Sequence, residues 1–197
     1  MEMKWFRFLI PWFSPRFLLG MLGVSICGAV VAGIYGVIHD QFTYTISEEY
    51  FTRFKFHQFA YAEPAGDSPR LFAGIIGFLA SWWVGALVGW IFARVSIGRD
   101  QRLPSHREVA IFFLIVFSTA ATFAFGGWGW GAWRKSTGYA QGWRDWMDAS
   151  GVIDIESFMT VGYIHNASYM GGIIGTLFAL TWLLIIRRRN RLSFDQS

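Results

Sequence analysis

FLLGMLGVSICGAVVAGIYGVI, residues 17–38, runs without a charge from Arg16 to His39. A helix needs about 20 consecutive apolar residues to cross roughly 30 Å of hydrocarbon at 1.5 Å per residue, and this stretch has them. Three more match it: 71–93 between Arg70 and Arg94, about 109–133 ending in a Gly/Trp tract, and 166–186 between His165 and Arg187. None of the four holds a Lys, Arg, Asp or Glu. The expectation is an all-α, polytopic membrane protein, a four-transmembrane-helix bundle forming one membrane domain over residues 1–197. Composition agrees: 54% of the chain is hydrophobic and only 15% charged, against about 25% charged in an average soluble domain. A soluble globular enzyme and a disordered chain are both excluded. The lone Cys27 lies inside the first run, which rules out an intramolecular disulfide framework and a Cys-based zinc site.

Four crossings put both termini on one side, and the basic residues indicate which. Lys4, Arg7, Arg16, Arg94, Arg99, Arg102, Arg107, Arg187, Arg188, Arg189 and Arg191 share a face with four acids, a net +7. The other face carries nine acids against six bases, a net −3. The positive-inside rule then predicts cytoplasmic termini in a cell inner membrane. It also reads the basic pI as attraction to anionic lipid and not to nucleic acid. Residues 1–15, with Trp5, Phe6, Phe8, Trp12 and Phe13, are expected to lie in the interface as an aromatic-anchored segment.

Lipid-embedded helices gain little hydrophobic drive from one another, so small residues must let their backbones approach. Gly85/Gly89 and Gly171/Gly175 are GxxxG pairs, and Gly20, Gly23, Gly28, Gly33 and Gly36 recur along the first span. These are expected to pack helices. Ser118, Thr119 and Thr122 should bond to carbonyls of their own helix, and Trp82, Trp83, Trp90 and Trp182 should meet lipid or anchor at the interface. Spans free of ionisable residues argue against ion or proton transport and leave a neutral-solute transporter as the third reading.

The outer loops, 39–70 and 134–165, hold the chemistry. Thr45 with Glu48 spells a capping box, with Ser47 as the alternative cap, and predicts an extracytoplasmic loop helix over about 48–61. On such a helix Glu49, Arg53 and His57 form one stripe. His39 closes the first span and His165 opens the fourth, so topology sets both at one depth, with Asp40 beside His39. Imidazoles and carboxylates converging there suit Fe, Cu or Zn. The expected ligands are His39, His57 and His165 with Glu49, and Asp40 orients a ligand or adds a fifth. A b-type haem between His39 and His165 is a weaker alternative, and Ser47 or Ser168 as a nucleophile lacks any GxSxG elbow.

The segment from Tyr35 through His39-Asp40-Gln41-Phe42-Thr43 to Glu49-Tyr50-Phe51-Thr52 resembles one in uncharacterised small bacterial integral membrane proteins. The resemblance implies a bacterial origin and draws attention to His39, Asp40 and Glu49. It carries no assigned activity. The leading expectation is a metal site at the extracytoplasmic surface with redox or hydrolytic chemistry. The alternative is a non-catalytic subunit or scaffold, docking partners or a second copy through its outer loops and glycine-rich helix faces.

Overall fold

The computed structural model describes residues 14–64, 68–97, 102–138 and 141–194, so the expected interfacial segment at 1–15 lies almost wholly outside the described residues. Four of its helices are long and apolar enough to cross a membrane, and among the described residues there is no strand. The protein is an all-α, multi-pass membrane protein.

Helix α1 spans Pro15–Ile46, with proline at the first position, where its missing N–H costs nothing. Extended backbone at Ser47 ends it, and the Ser47 hydroxyl accepts from the Tyr50 N–H at 3.3 Å to start α2, Glu48–Tyr50. Ser47 is therefore the cap. Thr45 is still inside α1 and bonds the Gln41 carbonyl instead. The expected loop helix exists but is not regular: a π turn over Phe51–Lys55 follows, then α3 (Phe56–Gln58) and a 3₁₀ turn at Ala60–Ala62. Helix α4 spans Pro69–Ile97 and α5 spans His106–Thr137. Ser105 and Glu108 cap α5 reciprocally, with the Ser105 N–H donating to the Glu108 carboxylate at 2.7 Å. A short α6 (Gln141–Ala149) leads to α7, Ile155–Phe194.

The long helices pack as two antiparallel pairs, α1 with α4 and α5 with α7, and glycine sets the spacing in both. A Cβ on Gly36 would strike the Gly77 carbonyl, and one on Gly28 would strike that of Gly85. In the second pair, a Cβ on Gly171 would meet the Thr119 carbonyl at 2.8 Å and one on Gly127 the Ala167 methyl at 2.8 Å. The GxxxG glycines are thus packing residues, and those faces are used inside the chain. Thr119 and Thr122 bond to the carbonyls of Ile115 and Ser118, each at 2.8 Å.

Larger side chains join the two pairs. Phe92 of α4 stacks on Phe112 of α5 at 4.0 Å, and Tyr35 of α1 meets Phe117 of α5 at 5.4 Å. Trp82 and Trp83 are exposed, as expected of lipid-facing rings. Trp90 and Trp182 differ: they pack on the Met21/Ala93 and Phe92/Phe112 clusters and so help fill the bundle. At the other end, Tyr44, Tyr50, Phe51, Met147, Val152, Phe158 and Val161 form a core that seals the bundle.

The helices overrun the apolar stretches read from the sequence. α1 continues past Ile38 to Ile46, and α7 begins at Ile155, well before Asn166. Much of the two expected loops is therefore helix, because the aromatic cluster beyond the lipid gives these extra turns a core of their own.

Candidate metal centre

His39 and Asp40 sit on α1 and His165 on α7, within the length that the overrun adds. One potential ligand atom from each lies within 4.8 Å of the other two. Asp40 is 4% and His165 3% exposed. The His39 and His165 rings meet edge to face at 4.7 Å.

The hydrogen bonds of His165 define its tautomer. Its Nδ1 lies 3.0 Å from the Val161 carbonyl, one turn back on α7. A carbonyl only accepts, so Nδ1 carries the hydrogen. Nε2 then points at the Asp40 carboxylate, 3.1 Å away. With Nδ1 donating, the Nε2–Asp40 contact is closed either by a second ring proton or by a bound cation. His39 adds a second unmet demand, because its Nε2 is buried without a hydrogen-bond partner. Buried polar nitrogens are seldom left so.

Aromatic rings surround the three. Tyr50 stacks on His165 at 5.0 Å, and Tyr35 stacks on His39 at 5.7 Å while its hydroxyl shares a 2.8 Å hydrogen bond with Ser168. Phe51 closes on His165 from the side at 6.3 Å. Burial, then the charges of Tyr169 and Asp40, push the Tyr50 phenol well above its ordinary range, so it stays a neutral proton donor. The π turn brings in one more charged residue. Its extra residue, marked by the Phe56 N–H reaching the Phe51 carbonyl, rotates everything after it about the helix axis. Lys55 is thereby turned inward and is 8% exposed. Burial pulls its ammonium below the ordinary lysine range, and the Asp40 carboxylate opposes that pull.

Of the five ligands expected from sequence, the structure brings together His39, Asp40 and His165. An Asp40 carboxylate oxygen stands within 4.8 Å of a nitrogen of each ring, so Asp40 is placed as closely as the two histidines. Glu49 is elsewhere: its carboxylate accepts from the Ile153 N–H at 3.0 Å and the Asp154 N–H at 2.7 Å, pinning the start of α7. His57 is exposed, because the stripe of Glu49, Arg53 and His57 assumed an unbroken α-helical period that the π turn interrupts. The His39 and His165 rings meet edge to face at 4.7 Å, without the gap that a porphyrin held between them would need. Ser47 and Ser168 are committed to the α2 cap and to Tyr35. Lys55, Tyr35 and Tyr50 were not anticipated. Tyr35 faces the site from a position that looked like a span aromatic, and Lys55 is buried where a loop charge was expected.

The chain matches no family model, no curated protein and no solved structure. The reading of the site therefore rests on its chemistry.

Proposed function

We propose that this protein is a membrane-embedded metalloprotein holding one transition-metal ion between His39, Asp40 and His165. The carrying observation is the 3.1 Å approach of His165 Nε2 to the Asp40 carboxylate, with the His39 Nε2 left without a partner and the His165 Nδ1 tied to a backbone carbonyl. That is the arrangement in which metal-bound imidazoles are normally oriented. Ligands bound at 2.0–2.2 Å stand about 3 Å apart, so this pair already has ligand spacing. A proton lodged there would satisfy His165 and Asp40 alone. A metal ion shared by all three would give the buried His39 Nε2 a partner as well.

Two imidazoles and one carboxylate leave coordination positions open, as in non-haem Fe(II) and hydrolytic Zn(II) centres. The ion supplies a Lewis acid or a redox couple there. The chain's own groups orient the ligands, exclude water through Tyr50, Phe51 and Tyr35, and offer a phenolic proton at Tyr50. The charge asymmetry of the loops supports placing this end outside the cytoplasm of a bacterial inner membrane.

Elemental analysis of the detergent-purified protein tests the reading, with His39→Ala, His165→Ala and Asp40→Asn beside it. About one equivalent of Fe, Cu or Zn in the parent and substoichiometric metal in the variants is expected. Equal and negligible metal in all four, with a His165 ring doubly protonated by ¹⁵N NMR, would replace the metal with a buried imidazolium–carboxylate pair.

A further inference from the structure

Asp40 and His165 are buried, whereas His39 keeps part of its ring at the protein surface. The order of burial along α1 shows which surface that is. Gly36, Asp40 and Thr43 are buried on one side of the helix, and Ile34, Ile38 and Phe42 are exposed on the other. At about 100° per residue, Tyr35 and His39 fall on the border between the two sides.

Helix α5 runs along that border. Tyr35 meets Phe117 at 5.4 Å, and Phe42 meets Trp128 at 5.9 Å, so His39 lies on a seam between two ring pairs. Four and seven residues after Phe117, on the same face of α5, stand Ala121 and Ala124. The smallest side chains of the seam are therefore those between its ring contacts, as His39 is on α1. The side toward the outer water is closed differently. Tyr50 stacks on His165 at 5.0 Å, and Tyr50, Phe51 and Phe158 pack there as buried rings.

The rim of the seam is apolar. Ile38 and Phe42 of α1 and Phe125 and Trp128 of α5 are exposed, and residues 117–128 include no ionisable side chain. Exposed apolar surface on a membrane helix meets lipid, and tryptophan favours the level of the headgroups. A molecule held in the outer leaflet by an apolar tail would present its polar head at that level.

We infer that the centre takes a bilayer-borne amphiphile as its substrate or co-ligand, with its tail along the α1–α5 seam and a small lone-pair-donating head at the metal. The inference rests on the metal reading above and deepens it, because it assigns the class of exogenous ligand and its route. Ala121 and Ala124 then determine specificity, since their size leaves the tail its place.

1-Decylimidazole is the probe, added to the full chain in detergent after loading with Cu(II) and followed by the shift of the copper absorption. 1-Methylimidazole, with the same donor and no long tail, runs beside it. The comparison is across parent, Ala121→Leu and Ala124→Leu, for which partition of the probe into the micelle is common. Ala121→Val serves where the larger side chain prevents folding. Copper content is expected to stay the same, since neither alanine is a ligand. Affinity for 1-decylimidazole is expected to fall about tenfold or more in the leucine variants, because the added methyl groups overfill the tail's place. Equal affinity in parent and variants, all holding copper, would overturn the seam as the binding route and leave the metal site standing. So would tighter binding of 1-methylimidazole than of 1-decylimidazole by the parent. A parent that takes up no copper would remove the metal site and this inference with it.

Discussion

Helix α7 carries buried polarity near both ends, and the two places are built on opposite principles. His165 and Arg187 are 22 residues apart along it, about 33 Å at helical rise, which is one hydrocarbon thickness. At the Arg187 end the charges of Arg187, Glu108 and Arg102 are paired, although the Ser96 hydroxyl is left without a hydrogen-bond partner. The guanidinium grips the Glu108 carboxylate through Nε at 3.2 Å and Nη2 at 3.3 Å, and Nη1 donates to the Ser96 carbonyl. Glu108 in turn takes Arg102 at 2.9 Å and the Ser105 N–H at 2.7 Å. This knot ties α4, α5 and α7 together at one membrane boundary. At the His165 end the inventory does not close. His39 keeps an orphan Nε2, and the His165 Nε2 stands 3.1 Å from the Asp40 carboxylate. A charge-paired knot holds helices in place. An incompletely satisfied one, equally buried, is where the proposed metal ion would find its ligands.

The contrast can be broken first at its charge-paired end. Arg187→Leu leaves Glu108 without its bidentate partner and should cost about 3–5 kcal/mol, read by denaturation in detergent. Pairing it with Glu108→Gln should recover part of that loss, since the stranded charge goes too. Next comes the other end. A metal at a hundredfold excess over its dissociation constant should stabilise the parent by about 2.7 kcal/mol. Chelator should reverse the gain, His165→Ala should abolish it, and Arg187→Leu should retain it. A gain that survives in His165→Ala would place the metal elsewhere.

The helix pairs give the third test. Gly36→Leu drives a side chain into the Gly77 backbone and should cost about 1–3 kcal/mol, while Gly23, with nothing within 4 Å of a built Cβ, should accept Ala at no loss. The smallest effect concerns the start of α7. Asp154 accepts from the Ser157 N–H at 3.0 Å, and that amide, together with the Ser157 side chain, holds its carboxyl below the usual range. The cap's contribution is therefore complete above the unfolded carboxyl's value of about 3.9 and fades as pH falls through the lower folded value. Amide exchange at Ser157 should quicken over that acid interval in the parent, and Asp154→Asn should flatten the dependence.

How much of this was legible in advance follows from which residues depend on local pattern. Four spans and the packing glycines were readable because lipid demands long uncharged helices and close backbones. His39, Asp40 and His165 were readable because topology alone puts a span's end and another's beginning at one depth. His57 was misplaced because a π turn has no sequence signature that periodicity detects, and Glu49 because its partners, the Ile153 and Asp154 amides, lie more than a hundred residues away. The Ser105–Glu108 capping box was present in plain sequence and needed only the S-x-x-E reading. Burial of Arg187 was hidden, since a basic run after a span looks like a cytoplasmic anchor until Glu108 is found beside it.

The sequence by itself determined that this chain lives in a membrane, how many times it crosses, and which small residues let its helices touch. Those follow from solvation and steric size, properties each segment carries alone. Which polar groups finish paired and which finish in want of a partner was decided only in three dimensions. That depends on rotations about helix axes and on contacts between residues more than a hundred positions apart, which no local pattern encodes.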